Sequence, residues 1–436
     1  MDAEEIASSI RGKLFQTDQL PPPSQHRRSI FRVPNMLRRH NEKAFVPEVV
    51  SIGPFHHGNT QLQAMENNKL KYLKCLLRRT GTAELECLVK AIDTIEQDCR
   101  KYYAEEVDPS RKEFIEMMVI DGCFILEFLY RYQQKRRGTQ GKDDPGFKTS
   151  WMPRKIIADL LLLENQLPWC VLDCLFNLMP SLKTTEKGCS RLDDLVFFSF
   201  SEYKMFPAPN SARSHEKHAH LLDWFRNCLV RSCTVKRSNC SEASEWKPVK
   251  PVTELILHGI IPLKAKSRDN ILDVKFKNGL MEIPEIVIEE NTESVFRNLI
   301  AFEHCDQRKG NEITSYAALL DCLIKSPADA LELEQRDILR IIGLSNEDRA
   351  SFLNRLLSNN DTSFHGFLHS DLCQDLNKAY SSKWTVWKAR LRRDYFIEPW
   401  ALMAFVLGVV FSLGLSSIQT VIAVLSYKDS NSKSAK

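Results

Sequence analysis

The chain has 436 residues, 43% of them hydrophobic and 27% charged, enough to bury one large core or two moderate ones. A net charge of +4 over this length excludes the strongly basic balance of a nucleic-acid binder. The 13 cysteines are scattered and form no CxxC pair, which excludes a zinc ribbon or a disulfide framework and points to thiols kept reduced.

Residues 1–29 read as a flexible leader. They lack the apolar core of a secretory signal peptide, and Pro21-Pro22-Pro23 interrupts regular structure. A mainly helical body is expected over 30–396, opening at Ile30-Phe31-Arg32-Val33-Pro34. Pro47, Gly53, Pro54 and Gly58 punctuate a non-helical connection around the apolar piece Val49 to Ile52. Helical periodicity then begins at Leu62, with Met65, Leu70, Leu73, Leu76 and Leu77 on one face. A second helix after Gly81 carries the stripe Leu85, Leu88, Val89, Ile92 and Ile95. The third, Arg111 to Tyr132, is apolar nearly all round between Met117 and Leu129 except for Asp121 and Glu127, the pattern of a central helix. A fourth is expected over Ile156 to Phe176, kinked or broken at Pro168.

Pro180 to Glu216 reads as a loop with a short apolar patch, Val196 to Phe200, and helix returns at His218 to Val230. Residues 231–251 have the composition of an internal linker. The β signal follows: Ile271 to Phe276 alternates, Asn278-Gly279 supplies a tight turn, Leu280 to Ile283 pairs back, and Ile286 to Ile288 adds a third strand, a small hairpin insert over 271–288. Further helices are expected from Thr292, from Thr314 or Ser315, from Ser326-Pro327 with Asp329, and from Ser345 with Asp348.

Trp400 to Tyr427 contains no Asp, Glu, Lys or Arg. A spanning helix needs about 20 mostly apolar residues, so 397–427 is expected to cross a membrane once, leaving a short polar tail at 428–436. Lys383, Lys388, Arg390, Arg392 and Arg393 precede the span against Lys428, Lys433 and Lys436 after it, which favours a cytosolic body and a tail-anchored chain. Tyr380, Trp384, Trp387, Leu391 and Tyr395 form one helical stripe interleaved with those basic residues, so Trp384, Trp387, Arg390, Arg392, Arg393 and Trp400 are the membrane-proximal candidates. The alternative is that the stripe packs on the body and the charges are a solvated face.

Several ordered segments resemble the plant "domain of unknown function 247" family of UPF0481-type membrane proteins. They are Ile30 to Pro34, Pro47 to Gly58, Met65-Glu66 with Lys69, Met118 to Glu127, Asp159 to Trp169, Phe296 to Glu303 and Pro399-Trp400. The resemblance spans roughly 29–427 and departs at Pro251 to Ile260, where the family has an Ala-Thr-Glu-Leu opening and an Ala-Gly-Val turn. It implies a mostly helical plant protein with a C-terminal span, no established enzymatic activity and no catalytic residues to transfer. The link of some grass members to self-incompatibility implies recognition between partners.

Residue chemistry leaves few sites. The segment Ser51, Gly53, Pro54, His56 and His57 is the candidate recognition loop. Imidazole is the commonest metal ligand and a general base, but no further His, Cys or carboxylate stands at ligand spacing from His56-His57. Asp121, Glu127, Glu164, Asn165 and Gln166 lie in apolar runs, where hydrogen-bonded structural networks are the ordinary role. The basic doublets Arg27-Arg28, Arg38-Arg39, Arg78-Arg79 and Arg136-Arg137 read as solvated surface, and Gly408 with Ser412 as a small-residue pair in the span. No nucleophile elbow, phosphate loop or HExxH is present. The expectation is a mainly α (α+β) protein with one transmembrane helix, no enzyme activity, no cofactor, no metal and no nucleic-acid partner. It would contact lipid through the span and a protein partner through its body. The alternatives are a membrane-bound enzyme using the His56-His57 loop and a structural scaffold.

Overall fold

A computed structural model describes residues 5–11, 28–39, 41–80, 85–136, 138, 149, 151–182, 191–201, 217–235, 247–265, 270–343, 367–381 and 399–433. The protein is mostly helical with two small sheets. Residues 5–11 of the leader form a short exposed helix, while Ser29, read as the leader's last residue, is buried and donates its amide to Tyr102 O.

Helices α1 (Gln63–Thr80), α2 (Leu85–Arg100) and α3 (Arg111–Arg136) build the first half of the core. The all-round apolar middle of α3 makes it the hub: α1 and α2 pack on it, as do two later helices. The flanking helices are less covered than their stripes suggest. Leu70, Leu85 and Val89 are exposed, while α2 buries Leu88 and Ile92 of its stripe together with Glu96 and Cys99.

The expected helix from Ile156 to Phe176 is two helices, α4 (Met152–Asp159) and α5 (Trp169–Asn177). The break is longer than Pro168 alone explains. Asn165 Nδ2 donates to Asp159 O, and Gln166 Nε2 donates to Leu160 O and Leu162 O. These side chains take carbonyls that a continuing helix would use, so the leucines 160–163 run through a buried turn. The apolar patch at Val196 belongs to a helix, α6 (Leu192–Phe200), with Asp193 and Asp194 in its first turn, where acidic groups favour helix initiation.

Next come α7 (Leu221–Arg231), α8 (Val252–Leu257) and strand β1 (Ile261–Lys264). Most of the expected linker falls outside the described residues. The hairpin is β2 (Lys275–Lys277) with β3 (Leu280–Ile283), antiparallel around Asn278 (φ 53°) and Gly279 (φ 79°), the left-handed pair that a tight two-residue turn requires. Its first strand is shorter than the alternation, because Asn270 and Asp273 fold the preceding segment into local turns. The hairpin is also not isolated: β1, just after the stretch where the family pattern lapses, pairs parallel to β3. The third strand, β4 (Ile286–Ile288), leaves the hairpin and pairs parallel with β5 (Leu339–Ile341), which follows α9 (Thr292–Cys305), α10 (Glu312–Leu323) and α11 (Pro327–Gln335).

The N-termini of these helices carry their caps. Ser326 and Asp329 form the expected capping box on α11. α10 starts at Glu312, ahead of the expected Thr314, because Glu303 accepts the amides of Ile313 and Thr314. The Ser345-Asp348 start lies outside the described residues. α12 (Ser370–Ser381) returns to the body, with Tyr380 against the His258 ring at 4.0 Å and its hydroxyl donating to Glu254. The first aromatic of the expected membrane-facing stripe therefore packs on protein.

α13 (Pro399–Lys433) contains 24 residues, Met403–Ser426, long and apolar enough to cross a membrane, with none of their side chains buried. At about 1.5 Å per residue that length is ~36 Å, more than a ~30 Å hydrocarbon core. The helical backbone continues to Lys433, beyond the expected end at 427.

Two buried imidazoles set an acid limit on this fold. His220 caps α7 by accepting the Asp223 amide at Nδ1, and its Nε2 donates to Ser29 O. Burial pushes His220 and His369 each down to about 4. Above pH 6.5 both rings are neutral whether the chain is folded or not. Between 6.5 and 4 the unfolded chain takes up protons that the folded one refuses. Stability is therefore lost as pH falls through this window, by about 3 kcal/mol per ring. His220→Asn keeps a capping acceptor without titrating, and is expected to remove about half of that loss in thermal unfolding recorded from pH 7 to 4.

Candidate functional site

The segment from Ile30 to Gly58 is irregular, so its amides must find partners outside helices and strands. They find buried side chains of the chain's own core. Asp159, at the end of α4, accepts the amides of Glu48, Val49 and Val50 at 2.7–3.0 Å. Asn165 Oδ1 accepts Ile52 N at 2.7 Å while its amide donates to Val50 O. Asp121, on α3, accepts Gly53 N at 2.9 Å and the Lys69 ammonium at 2.6 Å. The carboxylates and amides read as structural networks are thus the clamp that shapes the candidate loop.

Gly53 is required there for two reasons. Its φ of +72° lies in the left-handed region, and a Cβ would stand 2.6 Å from Gln166 O. The backbone then turns through Pro54 to Gly58, with His57 N donating to Pro54 O at 3.4 Å. Ser51 is buried beneath this turn, and its hydroxyl has no partner among the described residues.

The turn separates the two histidines. His57 is exposed, whereas His56 points inward with Nε2 3.6 Å from Glu164 Oε2. A shared metal site on the doublet is not supported, and among the described residues no three His, Cys, Asp or Glu side chains are grouped to hold a metal. Burial lowers the His56 pKa, Glu164 partly offsets this, and Arg38 and Arg32 push the same way as burial. The ring is therefore neutral at pH 7.

Glu164 ties the site together. It is buried, accepts Val33 N at 2.6 Å and pairs with Arg38. Arg32 lies over the Phe55 ring at 4.4 Å and bonds Glu105 at 2.9 Å. Together with Glu42 these groups border an open cleft of about 600 Å³. Its walls offer two guanidiniums, three carboxylates, one imidazole and one aromatic face, and no hydroxyl or thiol nucleophile. A His–carboxylate pair can orient a base. The rest of this lining is suited to reading charge and shape on a polar surface.

Sequence reasoning placed Ser51, Gly53, Pro54, His56 and His57 in one loop, and the structure keeps them together but turns only His56 toward the cleft. It missed Arg32 and Arg38. Arg38 had been grouped with solvated basic doublets, yet it reaches buried Glu164, as Arg79 reaches Glu127 and Arg136 donates to Phe198 O. The usable signal was the acid rather than the base, since a carboxylate inside an apolar run needs a cation. Trp384, Trp387, Arg390, Arg392 and Arg393 lie outside the described residues, and Trp400 lies in α13 without a described side chain.

The clamp residues and the loop they hold fall within a match to DUF247, described as "Plant protein of unknown function", over residues 30–413. The chain belongs to the DUF247 family. The DUF247 match runs from the buried start of the body into the apolar part of α13. Among curated proteins it is 29% identical over 438 residues to UPF0481 protein At3g47200 of Arabidopsis thaliana, covering 91% of this chain and 86% of that one. A second UPF0481 protein of Arabidopsis thaliana, At3g02645, is 22% identical over 480 residues, covering 90% of this chain and 89% of that one. No solved structure matches this DUF247 chain.

Proposed function

We propose that the chain is a single-pass membrane protein with a cytosolic N-terminal body, acting by protein–protein recognition rather than catalysis. The observation that carries the membrane part is α13, whose 24-residue apolar stretch is uncovered by the other described residues. The cytosolic placement rests on the five basic residues, Lys383 to Arg393, ahead of the span against three after it.

The recognition part rests on the His56 cleft. Glu164, Arg38, Arg32 and Glu105 are engaged with one another or with the backbone, so the cleft is a rigid polar relief. Rigid, pre-formed surfaces bind with little ordering cost. Arg32 is the accessible anchor, about half exposed and stacked on Phe55, and arginine with an aromatic neighbour is a common interface hot spot. Crosslinking in native membranes is the test. Arg32→Glu, at a surface position, is expected to lose at least one partner that the unaltered chain captures reproducibly. An identical crosslinking pattern, or none from the unaltered chain, contradicts recognition through this cleft.

A further inference from the structure

A second cleft, about 550 Å³, is bordered by Tyr102, Cys170, His218, Arg308 and Lys309 among others. Cys170 is the second residue of α5, a nine-residue helix, so it sits in that helix's first turn. Behind it, at the end of α2, lies Cys99, fully buried, with its Sγ 3.8 Å from Cys170 Sγ. The two thiols come from helices 71 residues apart in sequence that pack directly on each other. Cys170 therefore borders the cleft while Cys99 is buried against it.

We propose that Cys170 is a peroxide-reactive thiol and that Cys99 is its resolving partner, so that a hydroperoxide converts the pair into a disulfide joining α2 to α5. The sulfurs are already neighbours: forming the bond brings them from 3.8 Å to about 2.05 Å. The electrostatics agree. The Cys99 thiol beside it, the Tyr102 hydroxyl and the amides of Cys170 and Val171 all lower the Cys170 pKa, against the opposing effect of burial. Cys99 is pushed the other way, chiefly by its bond to Cys170 and by burial, so it stays a thiol and a donor. Thiolate character at an accessible sulfur is what selects a cysteine for oxidation.

The chemistry balances in two steps. The Cys170 thiolate attacks the terminal oxygen of the hydroperoxide; an S–O bond forms, the O–O bond breaks, and the leaving alkoxide or hydroxide takes up a proton. The resulting sulfenic acid is then attacked by Cys99 sulfur. An S–S bond forms, and the departing hydroxyl leaves as water with the Cys99 proton. The two cysteines lose two electrons in total, and the hydroperoxide gains them. In a reducing compartment such a bond is transient, which suits a signal rather than a structural brace.

The test uses the full chain in detergent, treated with hydrogen peroxide and a sulfenic-acid trap, and mapped by mass spectrometry without reduction. Exposed Cys87 is the internal reference. The expected result is a Cys99–Cys170 disulfide, formed at least tenfold faster than any oxidation of Cys87. In Cys99→Ser, the trap should accumulate on Cys170 instead. Oxidation of Cys87 at an equal rate, or a Cys170 link to Cys174 in place of Cys99, would overturn the proposal. The rate comparison is made on the unaltered chain, so it decides the matter even if a variant fails to fold.

Discussion

Replacing Lys69 by methionine is expected to destabilise the body by about 3–5 kcal/mol, the cost of stranding a buried charge. Lys69 is fully buried on α1, with Nζ 2.6 Å from Asp121 and 2.8 Å from Glu66. Burial pushes the ammonium down, but the attraction and hydrogen bonds of Asp121 and Glu66 together more than offset it, so its pKa is raised. Burial likewise pushes the Asp121 carboxyl up, and Lys69 and the Gly53 amide draw it partly back. Without Lys69 only the amide would remain, and Asp121 would have to stay buried as an anion or bind a proton. The effect reaches the site, because Asp121 also holds Gly53 at the start of the His56 turn. Adding Asp121→Asn to Lys69→Met removes the stranded charge while keeping an acceptor for Gly53 N. Thermal unfolding of both variants and the double variant is expected to show a coupling above about 1 kcal/mol, as for any pair in one network.

Asp159→Ala is expected to have a comparable effect, about 3–5 kcal/mol, by leaving three amides, one of them buried and two part-buried, without their acceptor. The loss is local as well as global. Glu48, Val49 and Val50 would no longer be held to the end of α4, so limited proteolysis should open within residues 47–58 before the helical body is cut. Asp159→Asn keeps one acceptor oxygen and is expected to cost less. It also tests the pH dependence of the clamp. Burial pushes Asp159 up to about 7, against the pull of the three amides. A folded pKa above the unfolded value means that this group's contribution is fully present below about pH 4 and is lost as pH rises through 7. Over pH 4–6.5 it opposes the loss caused by His220 and His369. Removing it with Asn is expected to steepen the acid-side fall in stability, and an unchanged profile would show that Asp159 does not titrate there.

What was legible in the sequence follows from how local each cause is. Met117 to Leu129 announces a central helix because burial on every face leaves no polar stripe. Asn278-Gly279 announces its hairpin because the turn chemistry lies in the two residues themselves. The break after Asp159 was hidden: the carbonyls are captured by Asn165 and Gln166, and only the folded chain brings them together. The parallel pairings of β1 with β3 and of β4 with β5 were hidden for the same reason, since a parallel partner is distant in sequence and leaves no turn signal.

The candidate site divides in the same way. His56-His57 and the flanking Gly53, Pro54 and Gly58 are conspicuous as residues. That His56 turns in toward Glu164 while His57 faces solvent depends on the left-handed Gly53 and on the amides held by Asp121 and Asn165. Cys99 and Cys170 stand 71 residues apart with no pair spacing, and their proximity is a product of helix packing alone. The apolar length of α13 needs no partner to be recognised, and so this helix was the plainest feature of the chain.

Glycosylation mapping in microsomes tests the central claim, a cytosolic body anchored by one spanning helix. The chain carries acceptor sequons at Asn239 and Asn360, and a third can be appended on a short extension after Lys436. The account predicts no endoglycosidase-sensitive mass shift from Asn239 or Asn360, and modification of the appended site. A shift arising at Asn239 or Asn360, or no modification at the appended site, would contradict it.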